Sequence, residues 1–536
     1  MSPLFEKPPS PKTYLMEQHI QHYDGPKGFA ILRKKYTWYA VFVSSGAFLF
    51  GYDTGSIGPV TVMPQYIEHF GNISPVLHGI IVSCILLTAA LFSVVAGPLA
   101  DRISRTRTIA LGGVVSAIGE AICLAATRGN LGMFIAGRAI AGMGEGLFMS
   151  PITTYICEIA PTPVRGRLTV QIQLFVTLGL LCGYFTCYGS QKAEGSIAWR
   201  VPYMLQIVFS AFMAAGSFML PHSPRWLQHV GRDADVDRAL TRLGVTAVEL
   251  GLEPAAASHP RPVTVAAEKG TAATPARKTT SLSEQWLSLW RKDVRTRTAL
   301  AVYLNFGQQA SGIDGVLYYA PALFAQAGLA SSTASFLASG VVGIVIFLVT
   351  IPVLIYSDTW GRRPPMIWGG LVLSLSLLII GTLHASHASD HKGAQYTIIG
   401  LIFVYVMAFS MSWAVIIRGY SAEIQPMRTR APATALGQGV NWLVNWIVAF
   451  TTPMFLAKST SGPYFLFGGC SLLTTAICFL YARESLGMSL EDIEKEFDII
   501  TWTPRSLSRT TTRSAQTSQT QQSNSNHSKS RSELPV

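Results

Sequence analysis

Apolar residues gather into twelve blocks of roughly twenty, each long enough to cross about 30 Å of hydrocarbon as helix. They run approximately over 38–58, 78–98, 108–127, 132–155, 170–190, 201–220, 299–325, 334–356, 365–384, 396–418, 433–457 and 463–482. Six precede one long polar stretch, 221–298, and six follow it. The pattern predicts an all-α membrane protein with twelve transmembrane helices in two six-helix halves, 38–220 and 299–483. A tail, 1–37, leads in, a central loop, 221–298, joins the halves, and a second tail, 484–536, leads out. The loop is rich in Ala, Pro and Thr from Glu253 to Ser281, a flexible composition. Leu282 to Trp290 spaces its apolar residues like a short helix lying at the membrane surface. From Ser506 onward Ser, Thr, Gln and Asn dominate, a disordered composition.

The two halves echo one another. Tyr155, Glu158, Pro161 and Arg165 return as Tyr420, Glu423, Pro426 and Arg430, a constant shift of 265 positions (158 to 423). Asp101 and Arg105 return as Asp358 and Arg362 at nearly the same offset. Two different charge motifs in one order at a near-constant shift indicate a duplicated chain rather than a solenoid.

Composition agrees with the pattern. The 536 residues are 49% hydrophobic and 13% charged, where a soluble protein is about 25% charged. Mean hydropathy is +0.34. A net charge of +12 would suggest nucleic acid in a soluble chain, but here the cations lie in loops and tails. Connections 2–3, 4–5, 8–9 and 10–11 carry Arg102, Arg105, Arg107, Arg165, Arg167, Arg362, Arg363, Arg428 and Arg430, and the central loop adds more. Positive loops stay inside, so both termini and the loop are expected in the cytosol, and the plasma membrane is the expected location. The first apolar block reads as an uncleaved anchor. Seven scattered cysteines read as packing residues. Asn72-Ile-Ser74 falls on the outer side as a glycan acceptor pattern, weakened by Pro75, whereas Asn526-His-Ser528 falls in the cytosol.

Further motifs carry a family likeness. They are Gly51-Tyr-Asp53-Thr-Gly55 in the first span, Gly137-Arg138 in the fourth, and Pro221-His-Ser-Pro-Arg225-Trp226 after the sixth. Gln308-Gln309-Ala-Ser-Gly312-Ile and Tyr318-Tyr319 lie in the seventh, and Ser489-Leu-Glu-Asp-Ile-Glu494 follows the twelfth. In this order, over about residues 38–497, they resemble the fungal sugar porter family of the major facilitator superfamily. The resemblance implies a secondary transporter that moves a monosaccharide by alternating access, with a lipid bilayer and protons as partners and no cofactor. The charge motifs then read as a cytosolic gate of Asp101, Arg105, Glu158, Arg165, Asp358, Arg362, Glu423 and Arg430, pairs that must break when the gate opens.

Ionisable residues at membrane depth cost several kcal/mol unless paired or hydrated, so each is a functional candidate. They are Asp53, Glu120, Arg138, Glu145, Asp314 and Arg418. Asp53 and Arg138 match the pair that couples protons in sugar symporters of the family, the alternative being a permanent ion pair in a facilitator. Glu120 and Glu145 read as helix-packing acids with local partners. The resemblance maps sugar binding onto Gln173, Gln308, Gln309, Tyr318, Asn441 and Trp442. Amides suit hydroxyls because one group both donates and accepts, and Trp442 can stack on a pyranose face.

Two positions break the family pattern. Asp314 stands where the family has Asn, and Arg418 where it has Trp. They read either as a salt bridge, each making the other tolerable in low dielectric, or as a site for an acidic sugar or quinate-like acid. Smaller departures, His222, Ser104 and Ala482-Arg-Glu-Ser485, lie outside the expected cavity. A non-transporting sugar sensor and a metabolite exporter are weaker readings. An enzyme reading has nothing behind it, since the sequence offers no nucleotide loop, nucleophile constellation or metal cluster.

Overall fold

In the computed structural model, residues 33–485 are described, apart from 162–163, 253–285, 330–331, 357–358, 389–390 and 427–428. Helices occupy all twelve expected spans. The second to sixth are Pro75–Ile103, Arg105–Leu124, Leu131–Ile159, Arg165–Ser190 and Ile197–Met219. The eighth, ninth, eleventh and twelfth are Ser332–Tyr356, Arg363–Ala385, Arg430–Lys458 and Gly462–Tyr481. Several extend past the apolar blocks because helical hydrogen bonding continues into the polar ends.

Three spans are interrupted. The first is Lys35–Val43 followed by Ser45–Val62, with a turn at Ser44. The seventh divides into Arg295–Ala310, Ile313–Tyr318 and Ala320–Gln326. Its first break is at Gly312, whose φ of +82° is left-handed and therefore suited to glycine. A Cβ there would also lie 2.3 Å from the Phe467 ring. The tenth is Lys392–Met411 and Trp413–Glu423, broken at Ser412. Broken helices at membrane depth are tolerated where the freed backbone groups line a cavity or find protein partners. Among the described residues, nine helices are long and apolar enough to cross a membrane by length and composition. The first, fourth and seventh spans are not among them, and these carry Asp53, Arg138 with Glu145, and Asp314.

Within the first half, glycines let backbones touch. A Cβ on Gly119 would meet Ala141 N at 2.2 Å, and one on Gly144 would meet Ser116 N at 2.4 Å, so the third and fourth spans pack without intervening side chains. The halves meet by the same device. Gly58 lies against the Tyr318 carbonyl, Gly79 against Phe450, and Gly343 against Leu181. The Tyr184 hydroxyl donates to the Leu317 carbonyl. The Gly58, Gly79 and Tyr184 contacts lie towards the ends of the spans remote from the arginine motifs, and the Gly343 contact lies near mid-span.

At the arginine-rich end the duplication is visible in three dimensions. Arg105 Nη2 pairs with Glu158 Oε1 at 3.1 Å, and Arg362 Nη2 pairs with Glu423 Oε1 at 3.1 Å. Tyr155 Oη donates to the Pro221 carbonyl, and the equivalent Tyr420 Oη accepts from Arg483 N, both at 2.8 Å. Arg165 reaches the Ala160 carbonyl at 3.5 Å and Arg430 the Gln425 carbonyl at 3.2 Å, five residues back in each copy. Two short helices, Pro224–His229 and Asp233–Leu243, cap the first half at this end. Residues 253–285 of the loop, most of both tails and Asp358 lie outside the described residues. So does the start of the Leu282 to Trp290 segment, whose described end exposes Leu287 and Trp290.

Candidate functional site

One cavity lies between the halves. Phe50, Thr54, Met149, Gln173, Val176, Thr177 and Leu180 line it from the first half. The seventh span contributes Gln308, Gln309, Ile313, Asp314 and Leu317, and the eighth Ile346. Phe409, Ser410, Ala414 and Arg418 come from the tenth, and Gln438, Asn441, Trp442 and Asn445 from the eleventh. Seven of the eight sequence-derived binding residues therefore face one space. Tyr318 does not. It is buried at the junction of the halves, where its carbonyl rests on Gly58. Sequence reasoning missed Gln438 and Asn445, although they stand three before and four after Asn441 on one helical face.

The wall is a hydrogen-bonded amide network. Gln308 Nε2 donates to the Trp413 carbonyl at 2.6 Å, an acceptor placed by the break at Ser412. Asn441 Nδ2 donates to Gln308 Oε1 at 2.9 Å, and Gln309 Nε2 donates to Asn441 Oδ1 at 3.1 Å. Gln308 and Asn441 thus spend their amides on each other and fix the geometry. Gln309 Oε1, Asn445 Oδ1 and Arg418 Nε are buried without a hydrogen-bond partner. Trp442 meets Phe50 edge to face across the halves, ring centres 5.2 Å apart. Open amide oxygens beside aromatic and aliphatic surface suit a small polyhydroxylated ligand.

Behind the cavity wall lies an ion pair. Arg138 Nη1 donates to Asp53 Oδ1 at 2.8 Å and Nη2 to Asp53 Oδ2 at 3.1 Å. Arg138 Nε donates to the Ile81 carbonyl at 2.8 Å and Nη2 also to the Val82 carbonyl at 3.3 Å. Gln206 Nε2 donates to Asp53 Oδ1 at 3.3 Å. That residue carries no sequence signal, being a single Gln with apolar neighbours on either side in the sixth span. Arg138 is 0% and Asp53 3% exposed. A bidentate pair with further donors and acceptors is the arrangement that makes two buried charges tolerable.

Glu120 and Glu145 are equally deep, each 3% exposed. Neither has the local partner expected of a packing acid. Oε2 of each is buried with no hydrogen bond. Both lie within electrostatic reach of Asp53 and Arg138. The Gly119 and Gly144 contacts leave no side chain between their helices to bond them.

Of the expected gate residues, Asp101, Arg105 and Glu158 form one cluster, with Arg105 Nη2 at 2.7 Å from Asp101 Oδ1. Arg362 and Glu423 form the second. Glu423 Oε2 also accepts from Ser485 Oγ at 2.6 Å, and Glu484 Oε1 accepts from Arg362 N at 2.7 Å. Each of these ion pairs stays within one half rather than bridging the two. Arg165 faces no carboxylate within ion-pair distance. Asn72 is exposed between two helices, and Ser74 of its sequon caps the second span by accepting from Leu77 N at 3.3 Å.

Comparison with known proteins agrees with this geometry. A family profile described as "Sugar (and other) transporter" matches residues 39–497. The low-affinity glucose transporter HXT4 of Saccharomyces cerevisiae is 28% identical, over 86% of this chain and 81% of its own. Polyol transporter 5 of Arabidopsis thaliana is 28% identical over 86% of each chain. Among solved structures, the proton:xylose symporter XylE bound to 6-bromo-6-deoxy-D-glucose superposes with a TM-score of 0.68, at 23% identity over 86% of this chain and 99% of that one. A partially occluded inward-open form of XylE from E. coli gives 0.66 at 23% identity, over 85% and 99%. The duplicated halves, the central amide-lined cavity and the extent of the profile match together establish that the chain is an integral, multi-pass member of the sugar transporter family of the major facilitator superfamily.

Proposed function

We propose that the protein imports a monosaccharide across the plasma membrane together with protons, by alternating access. The observation that carries this reading is the Asp53–Arg138 pair, fully buried and one residue removed from the cavity-lining Thr54. A proton on Asp53 would cancel its charge and leave Arg138 held by the Ile81 and Val82 carbonyls alone. The first span would then lose its strongest tie to the fourth. Protonation is thereby linked to the positions of helices that line the cavity. The positive loops support placing the arginine-rich end and both termini in the cytosol. With the halves in contact at the opposite end, the cavity is then inward-facing. The two within-half clusters act as the gate's hinges, holding each half together while the gate between them is open.

The second reading is a facilitative uniporter with the same cavity. It is favoured by the completeness of the Arg138 clamp, which suits a permanent structural pair. The deciding experiment is uptake of labelled sugars by a transport-deficient yeast expressing the full chain, at two external pH values. Accumulation above the external concentration that collapses with a protonophore supports symport. Equilibration to the external concentration with no pH effect overturns it.

A further inference from the structure

We infer that the natural substrate carries a carboxylate: a hexuronate or a cyclic polyhydroxy acid rather than a neutral sugar. This rests on the transporter reading above and narrows it to a substrate class.

The argument starts from a contrast between two arginines. Arg138 makes four hydrogen bonds, two of them to Asp53. Arg418 lines the cavity between the halves, yet it makes no hydrogen bond and no ion pair within 4 Å among the described residues, and its Nε is buried without a partner. An ionised side chain at membrane depth costs several kcal/mol unless something neutralises it. Asp314, the nearest candidate, lines the same cavity and acts on Arg418 through space, but no salt bridge closes between them. The compensating bridge that two opposite departures from the family pattern suggested is therefore not formed. Asp314 instead stands beside Gln309 on the wall of the same cavity.

A cation facing a ligand cavity with no ion pair closed on it is a site for an anion. The guanidinium fork matches a carboxylate in two parallel hydrogen bonds. The rest of the cavity suits what such an acid carries. Gln309 Oε1 and Asn445 Oδ1 are open acceptors for hydroxyl protons, and Trp442 offers an apolar face. Asp314 gives the site polarity. It repels a carboxylate and accepts hydroxyl protons, so the acid enters with its charged end towards Arg418. A phosphate ester fits less well, because two negative charges would face one guanidinium and also Asp314.

Charge balance supplies an independent signature. A monoanion moving with one proton carries no net charge across the membrane. A neutral sugar moving with one proton carries one positive charge. Uptake of the acid should follow the pH gradient and ignore voltage, whereas uptake of a neutral hexose would respond to both.

The test uses the full chain in proteoliposomes with imposed pH gradients and imposed potassium-diffusion potentials. The probes are labelled glucose, galacturonate, glucuronate and quinate. The expected result is pH-driven, voltage-insensitive uptake of at least one acid, which unlabelled acid inhibits and glucose does not. Asp314→Asn provides the second arm. If Arg418 awaits a carboxylate, removing the repelling charge lowers KM for the acid several-fold. If the two residues form a bridge in another state of the cycle, the same change strands Arg418 and abolishes transport of every probe. Voltage-dependent glucose uptake, with the acids neither entering nor competing, overturns the substrate class and leaves the transporter reading standing. Failure of every probe to move through the unaltered chain overturns the transporter reading itself.

Discussion

Arg138 grips Asp53 through both Nη atoms while its own Nε is fixed to the Ile81 carbonyl, so the fourth span holds the first through a buried bidentate joint. Asp53→Asn imitates the protonated state permanently. It should reduce steady-state accumulation to the external concentration while preserving exchange of labelled for unlabelled substrate in preloaded vesicles. Arg138→Lys keeps the charge but cannot bond Asp53 with two donors and a carbonyl with a third in a fixed plane. It should lower the uptake rate by an order of magnitude or so, roughly the loss of one charged hydrogen bond. Net accumulation in Asp53→Asn equal to that of the unaltered protein would remove the pair from energy coupling.

Glu120 and Glu145 lie at the same depth without partners, and an isolated carboxylate is not sustainable there. Glutamine copies a neutral acid closely, so Glu120→Gln and Glu145→Gln should melt within error of the unaltered protein in detergent. Glu120→Lys, which places a charge in the same spot, should prevent folding. A large loss of stability in either glutamine variant would show that the acid is ionised.

Gly58 touches the Tyr318 carbonyl across the halves, and a Cβ would approach that oxygen to 1.8 Å. Gly58→Val should hold the halves apart at that end. Transport should fall at least tenfold while expression and membrane insertion persist. Cysteines introduced along the cavity wall should become reactive from the side opposite the arginine motifs. Unchanged reactivity would mean that closure does not require this contact.

His222 sits outside the spans with Nδ1 in hydrogen-bond contact with Ser104 Oγ at 2.8 Å and Thr106 Oγ1 at 3.1 Å. Partial burial holds it below the ordinary histidine range, with Arg107 and Arg232 adding to the effect. A histidine depressed on folding stabilises the protein in its neutral form. That contribution is complete above the unfolded value, about 6.5, and is lost as pH falls below it. The melting temperature should therefore drop between pH 7.5 and 5.5 more in the unaltered protein than in His222→Asn, which retains an acceptor but cannot titrate. Identical slopes would contradict the assignment.

The sequence made the architecture legible for a physical reason: a bilayer demands long apolar helices and punishes charge, so both stand out. The same rule exposed Asp53, Arg138, Asp314 and Arg418. It did not reveal how the charges pair. Asp314 and Arg418 look like a bridge because their signs are opposite, yet they line one cavity without closing an ion pair. Gly312 could be suspected of breaking its helix, whereas Ser412 carries no signal. Glu120 and Glu145 read as packing acids with local partners because no family role maps onto them, whereas the fold leaves Oε2 of each without a hydrogen bond, which only three dimensions can show. Gln206 reaches Asp53 through the packing of the sixth span, which no local pattern encodes.

The Asp53–Arg138 joint and the cavity share no side chain. Thr54 faces the ligand space, and Asp53, one position earlier on the same helix, faces away from it. Under the proposed coupling, power supply and cargo hold would thus be separate compartments mounted on one helix. Substitutions such as Asp314 and Arg418 can accumulate in the hold and change which compound is carried while the charged joint stays intact. Relatives that differ in substrate can then be driven by the same joint, and ones with the same hold can differ in whether they are driven at all.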